Sequence, residues 1–214
     1  MNETVSGRGE SKRTAAEIAA LSGRQATEFK QLQALTTEAP GHSRQSPRWE
    51  RPPSGMLKLN VDGAFREADK DGGWGYVIRD ESGDVIQSGA GKVPLAINPM
   101  HAELIACMEG VKAAAAIGMN NIVPETDAQQ VAWAIQGDDF RLAVVGGLVH
   151  ELKVLLSVSF ASVLVRYAPR ECNKVAHELA SIGCKSQGLA PLVMAGVPDC
   201  IMFLVSGDLA DMVE

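Results

Sequence analysis

With 214 residues, 46% of them hydrophobic, the chain can bury the core of one ordinary domain with extra segments attached. It contains no uninterrupted apolar run near the ~18 residues a bilayer demands. The net charge of −6 is unevenly spread: residues 1–54 hold 8 Lys+Arg against 6 Asp+Glu, residues 55–185 hold 12 against 16, and residues 186–214 hold none against 4. That balance excludes a basic nucleic-acid clamp, so any grip on a phosphate backbone would need divalent cations or a local basic patch, and should be weak and salt-sensitive.

Residues 1–12 are polar and contain Gly and Ser, the composition of disorder, and Arg13 to Leu35 has the spacing of one marginal helix. Glu3, Glu10 and Glu17, with no apolar segment around them, argue against a secretory signal or a transit peptide. Thr36 to Gly55 carries four prolines and reads as a linker that ends near Arg51 to Gly55, with Trp49 as a candidate anchor. Cys107, Cys172, Cys184 and Cys200 form no CxxC and no His-paired spacing, so a zinc site or disulfide framework is not expected, and the default is a reducing compartment, nucleus or cytoplasm.

The strands then begin. In Leu57 to Phe65 (LKLNVDGAF), Leu57, Leu59 and Val61 alternate with Lys58 and Asn60, the pattern of a strand with one buried face that stops at Asp62-Gly63. By that alternation Asp62 points away from the apolar side, beside a glycine whose missing side chain leaves space for a ligand. Gly73 to Asp80 gives a second strand, Glu81 to Asp84 a hairpin turn and Asp84 to Val93 a third strand, an antiparallel meander. A helix follows, with Asn98 as N-cap, Pro99 as its first residue, Gly118 as its stop, and Leu104, Cys107, Met108, Val111 and Ala115 on one face.

Asn120 to Asp127 (NNIVPETD) is a fourth strand, made edge-like, bulged or short by Pro124. Ala128 to Gln136 is a short helix ending at Gly137, and Leu142 to Leu156 a second one with a start weakened by Gly146-Gly147. Ser159 to Tyr167 is strand five, Arg170 to Cys184 a last helix, and Cys200 to Val205 an apolar run that packs back before an acidic end. Trp74 and Trp133 read as core, His101 and His150 as plain helix residues, and Glu125 as a salt-bridged or solvent-facing acid.

The order β-β-β-α-β-α-α-β-α describes an α/β fold, a mixed five-stranded sheet flanked by helices. If strands one and four run parallel and adjacent, Asp62 and Asp127 emerge at one carboxyl-end rim, and Glu103, one turn into the intervening helix, can lean over it. Three carboxylates repel unless a cation lies among them, and an oxygen-only set suits Mg²⁺ or Mn²⁺. Singly, a strand-end turn former explains Asp62 and a helix N-cap explains Asp127.

Taken in order, LNVDGAF, HAELIA, ETDAQQV and PRECNKVAHELA resemble the type 1 ribonuclease H-like domains of the plant group related to non-LTR retroelement reverse transcriptases, over about residues 55–185. The resemblance implies a monomeric endonuclease that hydrolyses the RNA strand of RNA–DNA hybrids with two Mg²⁺ or Mn²⁺ ions. Asp62, Glu103 and Asp127 fall on the family's metal-binding acids, with His177 in an auxiliary catalytic role and Gly63 and Asn173 on the substrate side. The expected layout is an N-terminal segment and linker over 1–54, the domain over 55–185 and a packed extension over 186–214. One departure matters: His177 stands where bacterial and retroviral relatives carry a fourth acid, and Tyr167 to Arg170 occupy the loop of their mobile histidine. A histidine there could ligate an ion or shuttle a proton, and it removes a negative charge, so reduced activity is expected. The rival expectation is a noncatalytic nucleic-acid-binding or protein-interaction module retained from a retroelement.

Overall fold

Strand β1, Leu57–Arg66, is the spine of a mixed sheet, pairing antiparallel with β2 (Asp71–Arg79) and parallel with β4 (Asn121–Thr126). The structure, a computed structural model, describes residues 47–137 and 144–210, all within one unit, Ser46–Glu214. The expected helix over Arg13 to Leu35 and the acidic end at 211–214 lie outside these residues. Strand β3 (Val85–Val93) extends the sheet beyond β2, and two short strands, β5 (Ser162–Val163) and β6 (Arg166–Tyr167), both pair with β4. A further strand, β7 (Leu192–Met194), closes the far edge on β3, so seven described strands replace the expected five.

The expected single fifth strand is split for a reason visible in Pro124. Its neighbour Ile122 accepts a hydrogen bond from the Leu164 amide, and Pro124, two residues on, faces the same way with no N–H to offer. The ladder therefore lapses between Val163 and Arg166. Pro124 itself lies inside the sheet, because β4 keeps full parallel pairing with β1.

Helices cover both faces. On one, α1 (Pro99–Ile117), α2 (Gln129–Gln136) and α3 (Gly146–Ser159) bury Leu59, Val61, Tyr76 and Ile78 against Leu104, Val111, Val131 and Leu152. On the other, α4 (Lys174–Lys185), the C-terminal α5 (Met202–Ala210) and the turn Asp199–Ile201 before it bury Val77 and Ala90 against Val175, Leu179, Ile201 and Val205. Each side chain so buried contributes on the order of 1.5–3 kcal/mol of transfer free energy. The punctuation of α1 is as expected: the Asn98 side chain accepts from the His101 amide, Pro99 opens the helix and Gly118 ends it at φ 83°. Helix α3 begins four residues later than expected, at Gly146, and residues 142–143 are outside the described set.

Two expectations are corrected here. The Lys58/Asn60 side of β1 is not a solvent face: Lys58, Asn60 and Asp62 are as buried as their apolar neighbours. Burial of Lys58 is tolerated because its ammonium lies 2.7 Å from Glu125, which also accepts from the Asn60 amide at 3.0 Å, while the Trp49 indole donates to Asn60 Oδ1. Trp133 is exposed rather than core; Trp74 is buried.

Candidate metal centre

Strand β1 does not stop at Asp62. Its parallel pairing with β4 ends at Val61 opposite Thr126, but its pairing with β2 continues to Arg66. Asp62 is thus the first residue past the β4 ladder, and Asp127 the first past the end of β4, which brings the two acids to one rim. Helix α1 crosses that rim close to the strand. A Cβ built on Gly63 would lie 2.3 Å from the Glu103 nitrogen, so only glycine permits the approach. The space beside Gly63 is therefore filled by the α1 backbone rather than left open for a ligand, a correction to the expected role of this residue. Its amide donates to Glu103 Oε2 at 3.1 Å and so orients the third acid.

One oxygen each from Asp62, Glu103 and Asp127 lies within 4.8 Å of the others. Burial first, then the Asp127 carboxylate, pushes Asp62 up to about 6, only partly offset by His177. Burial, then Asp62 and Asp127, raises Glu103 well above the usual carboxylate range. The cluster thus concentrates negative charge that the protein itself leaves incompletely compensated. An all-oxygen donor set with uncompensated charge has the chemistry of a hard divalent cation site.

The last helix completes the surroundings. Helix α4 lies so near β2 that a Cβ on Gly75 would fall 2.3 Å from the Ala180 nitrogen. Gly75 is the register partner of Asp62, and α4 brings His177 to the same place: its Nδ1 is 3.0 Å from Asp62 Oδ2. Asn173 is 1% exposed; its amide nitrogen donates to the Val61 carbonyl at 2.8 Å and lies 3.5 Å from Asp127 Oδ1, tying β1 to Asp127. Arg170 is a participant the sequence reading placed only at the junction of the loop and the last helix, with no role in the site. Its Nη2 lies 2.8 Å from His177 Nε2 and 3.3 Å from Nδ1. No local signal would have found it, since Arg170 lies in the short turn Arg170–Cys172, outside the helix that carries His177. Glu125, on the same side of the sheet, is held in its buried pair with Lys58 and stays apart from the three clustered acids.

The sequence profile of a family described as reverse transcriptase-like matches residues 60–183. No curated protein matches the chain. Among solved structures, the RNase H1 of the halophilic archaeon Halobacterium salinarum is 23% identical, covering 60% of this chain and 96% of its own, at a TM-score of 0.52. The N-terminal RNase H domain of a Mycobacterium tuberculosis protein is 21% identical, covering 60% and 93%, at 0.53. LC11-RNase H1 in complex with an RNA/DNA hybrid is 17% identical, covering 60% and 96%, at 0.56. These likenesses are likenesses of fold.

Proposed function

Since this chain belongs to the reverse transcriptase-like family and has the ribonuclease H fold, we propose that it is a metal-dependent endonuclease hydrolysing the RNA strand of RNA–DNA hybrids, with reduced activity. The observation that carries the reading is the convergence of Asp62, Glu103 and Asp127 from three separate elements onto one rim. These residues would hold Mg²⁺ or Mn²⁺. A bound divalent cation supplies a more acidic attacking water and charge neutralisation at the phosphodiester.

The chain's own groups prepare that chemistry. The Gly63 amide fixes Glu103, Asn173 fixes Asp127 relative to β1, and His177 holds Asp62, so each carboxylate is set before substrate arrives. Arg170, which touches His177, and Lys174 are both exposed and can meet backbone phosphates. Arg66, Lys70 and Lys92 are already paired with Asp69, Asp71 and Glu67, so grip on the backbone is modest and salt-sensitive. Selectivity for RNA would come from 2′-hydroxyl contacts in the wide minor groove of the hybrid.

A second reading, a noncatalytic hybrid-binding module, is favoured by His177 in place of a fourth acid. One assay separates them: cleavage of a hybrid labelled on its RNA strand, in Mg²⁺ and in Mn²⁺ at low salt. Shortening of the RNA strand that EDTA abolishes is expected. Retention of the hybrid without cleavage in either ion would establish the binding module instead.

A further inference from the structure

We propose that Trp49, in the stretch that reads as a linker, is a positioning residue for the metal centre: through Asn60 and Glu125 it fixes the strand pair that carries Asp62 and Asp127. The inference rests on the metal reading above and deepens it.

The argument starts from register. Side chains alternate along a strand, so Lys58, Asn60 and Asp62 share one face of β1, and Asn60 is the register partner of Glu125 on β4. The parallel ladder ends one step later, at Val61 and Thr126, and Asp62 and Asp127 follow with no backbone pairing between them. Those two carboxylates repel, since the charge of Asp127 raises Asp62. Asn173 spans the gap from α4; within the sheet, the last cross-strand side-chain contact before the repelling pair is the Asn60 amide nitrogen donating to Glu125 Oε2 at 3.0 Å. That contact limits how far the two strand ends can spread.

Both ends of this clip are locked. Lys58 takes the other Glu125 oxygen, Oε1, at 2.7 Å, so both oxygens of this buried acid are committed and Glu125 stays out of the carboxylate cluster. Asn60 can hold Glu125 only with its amide nitrogen toward β4. The Trp49 indole, a donor with no acceptor, meets Asn60 Oδ1 at 3.0 Å and admits only that orientation, because an amide turned over would set N–H against N–H.

Trp49 is itself firmly seated. Its ring lies against two cations, Lys58 at 5.1 Å and Arg79 at 4.3 Å, and packs on Ala168 and Cys172. The segment from Ala168 to Cys172 leads directly into Asn173, the residue that touches Asp127, so one side chain steadies both approaches to the rim. Trp49, Lys58, Asn60 and Glu125 are all buried, and in that sealed environment each polar contact is stronger than it would be in water.

The test measures the Mn²⁺ affinity of the full chain by calorimetry, without nucleic acid, alongside thermal unfolding in EDTA. Trp49→Phe keeps an aromatic ring beside the two cations and removes the donor; it should weaken Mn²⁺ binding about threefold or more. Asn60→Ala should weaken it about tenfold, the low end for an outer-shell partner of a metal site. The double variant Trp49→Phe/Asn60→Ala should bind no more weakly than Asn60→Ala alone, because the indole acts through the amide. Leu152→Ala, a core truncation on the opposite face of the sheet, should lower the melting temperature and leave Mn²⁺ affinity unchanged. Unchanged Mn²⁺ affinity in Trp49→Phe, additive losses in the double variant, or an equal loss in Leu152→Ala would overturn the inference while the metal reading survives. No Mn²⁺ bound by wild type would remove that reading and this inference with it.

Discussion

His177 Nδ1 and Asp62 Oδ2 meet at 3.0 Å although 115 positions separate them in the chain. The contact couples the last helix to the central strand at the point where β1 leaves its parallel neighbour, and it makes the behaviour of Asp62 the most informative property of the rim.

Replacing Asp62 or Asp127 by Asn should abolish Mg²⁺-dependent hybrid cleavage with the fold intact. Asp62→Asn should also raise the stability of the metal-free protein near pH 7, because a carboxyl held at about 6 resists the charge it carries there. The gain is at most about 3 kcal/mol, from two pH units at 1.36 kcal/mol each. Cleavage assays and urea unfolding in EDTA check the two halves, and a destabilised Asp62→Asn would contradict the second.

The sign of the pH dependence follows. Asp62 rises from 3.8 unfolded to about 6 folded, so the folded state keeps the proton more firmly. Its contribution to stability is full below 3.8 and is lost as pH rises through about 6. In EDTA, wild type should lose melting temperature relative to Asp62→Asn between about pH 4 and 7. Mn²⁺ must displace that proton, so its affinity should weaken as pH falls through the same window. A difference curve that is flat in pH would count against a perturbed Asp62.

At Gly63, substitution by Ala places a Cβ 2.3 Å from the Glu103 nitrogen, a backbone atom that cannot turn aside. Helix α1 must move off β1 and carry Glu103 with it. The expected cost is about 1–3 kcal/mol, in the range of overpacked cores, with a loss of Mn²⁺ affinity. Thermal unfolding and Mn²⁺ titration of Gly63→Ala would show both.

Away from the rim, Arg79 is 1% exposed, stacks over Trp49 at 4.3 Å and lies 2.8 Å from Asp208 of the C-terminal helix. Asp208→Asn should destabilise the domain by about 3 kcal/mol, the scale of a buried charge deprived of its partner. Chemical denaturation measures it, and a neutral result would mean that the buried Arg79 does not depend on Asp208.

The sequence by itself determined which residue types were available and where the elements lay. Period-two alternation marked β1, Asn98-Pro99 and Gly118 bounded α1, and three acids beside apolar runs marked the rim, because these signals are written in neighbouring residues. Tertiary structure alone decided the rest. Lys58 and Asn60 look solvent-facing in a strand pattern, yet they are buried because Glu125 and Trp49, remote in sequence, satisfy them. Gly63 looks like space for a ligand, yet the backbone of α1 takes that space. Nothing local announces that Arg170 lies on His177 and His177 on Asp62, since a side chain's partner is set by how helices pack on a sheet. The three acids could be identified from the chain, but their mutual repulsion exists only once the sheet brings them within a few ångströms.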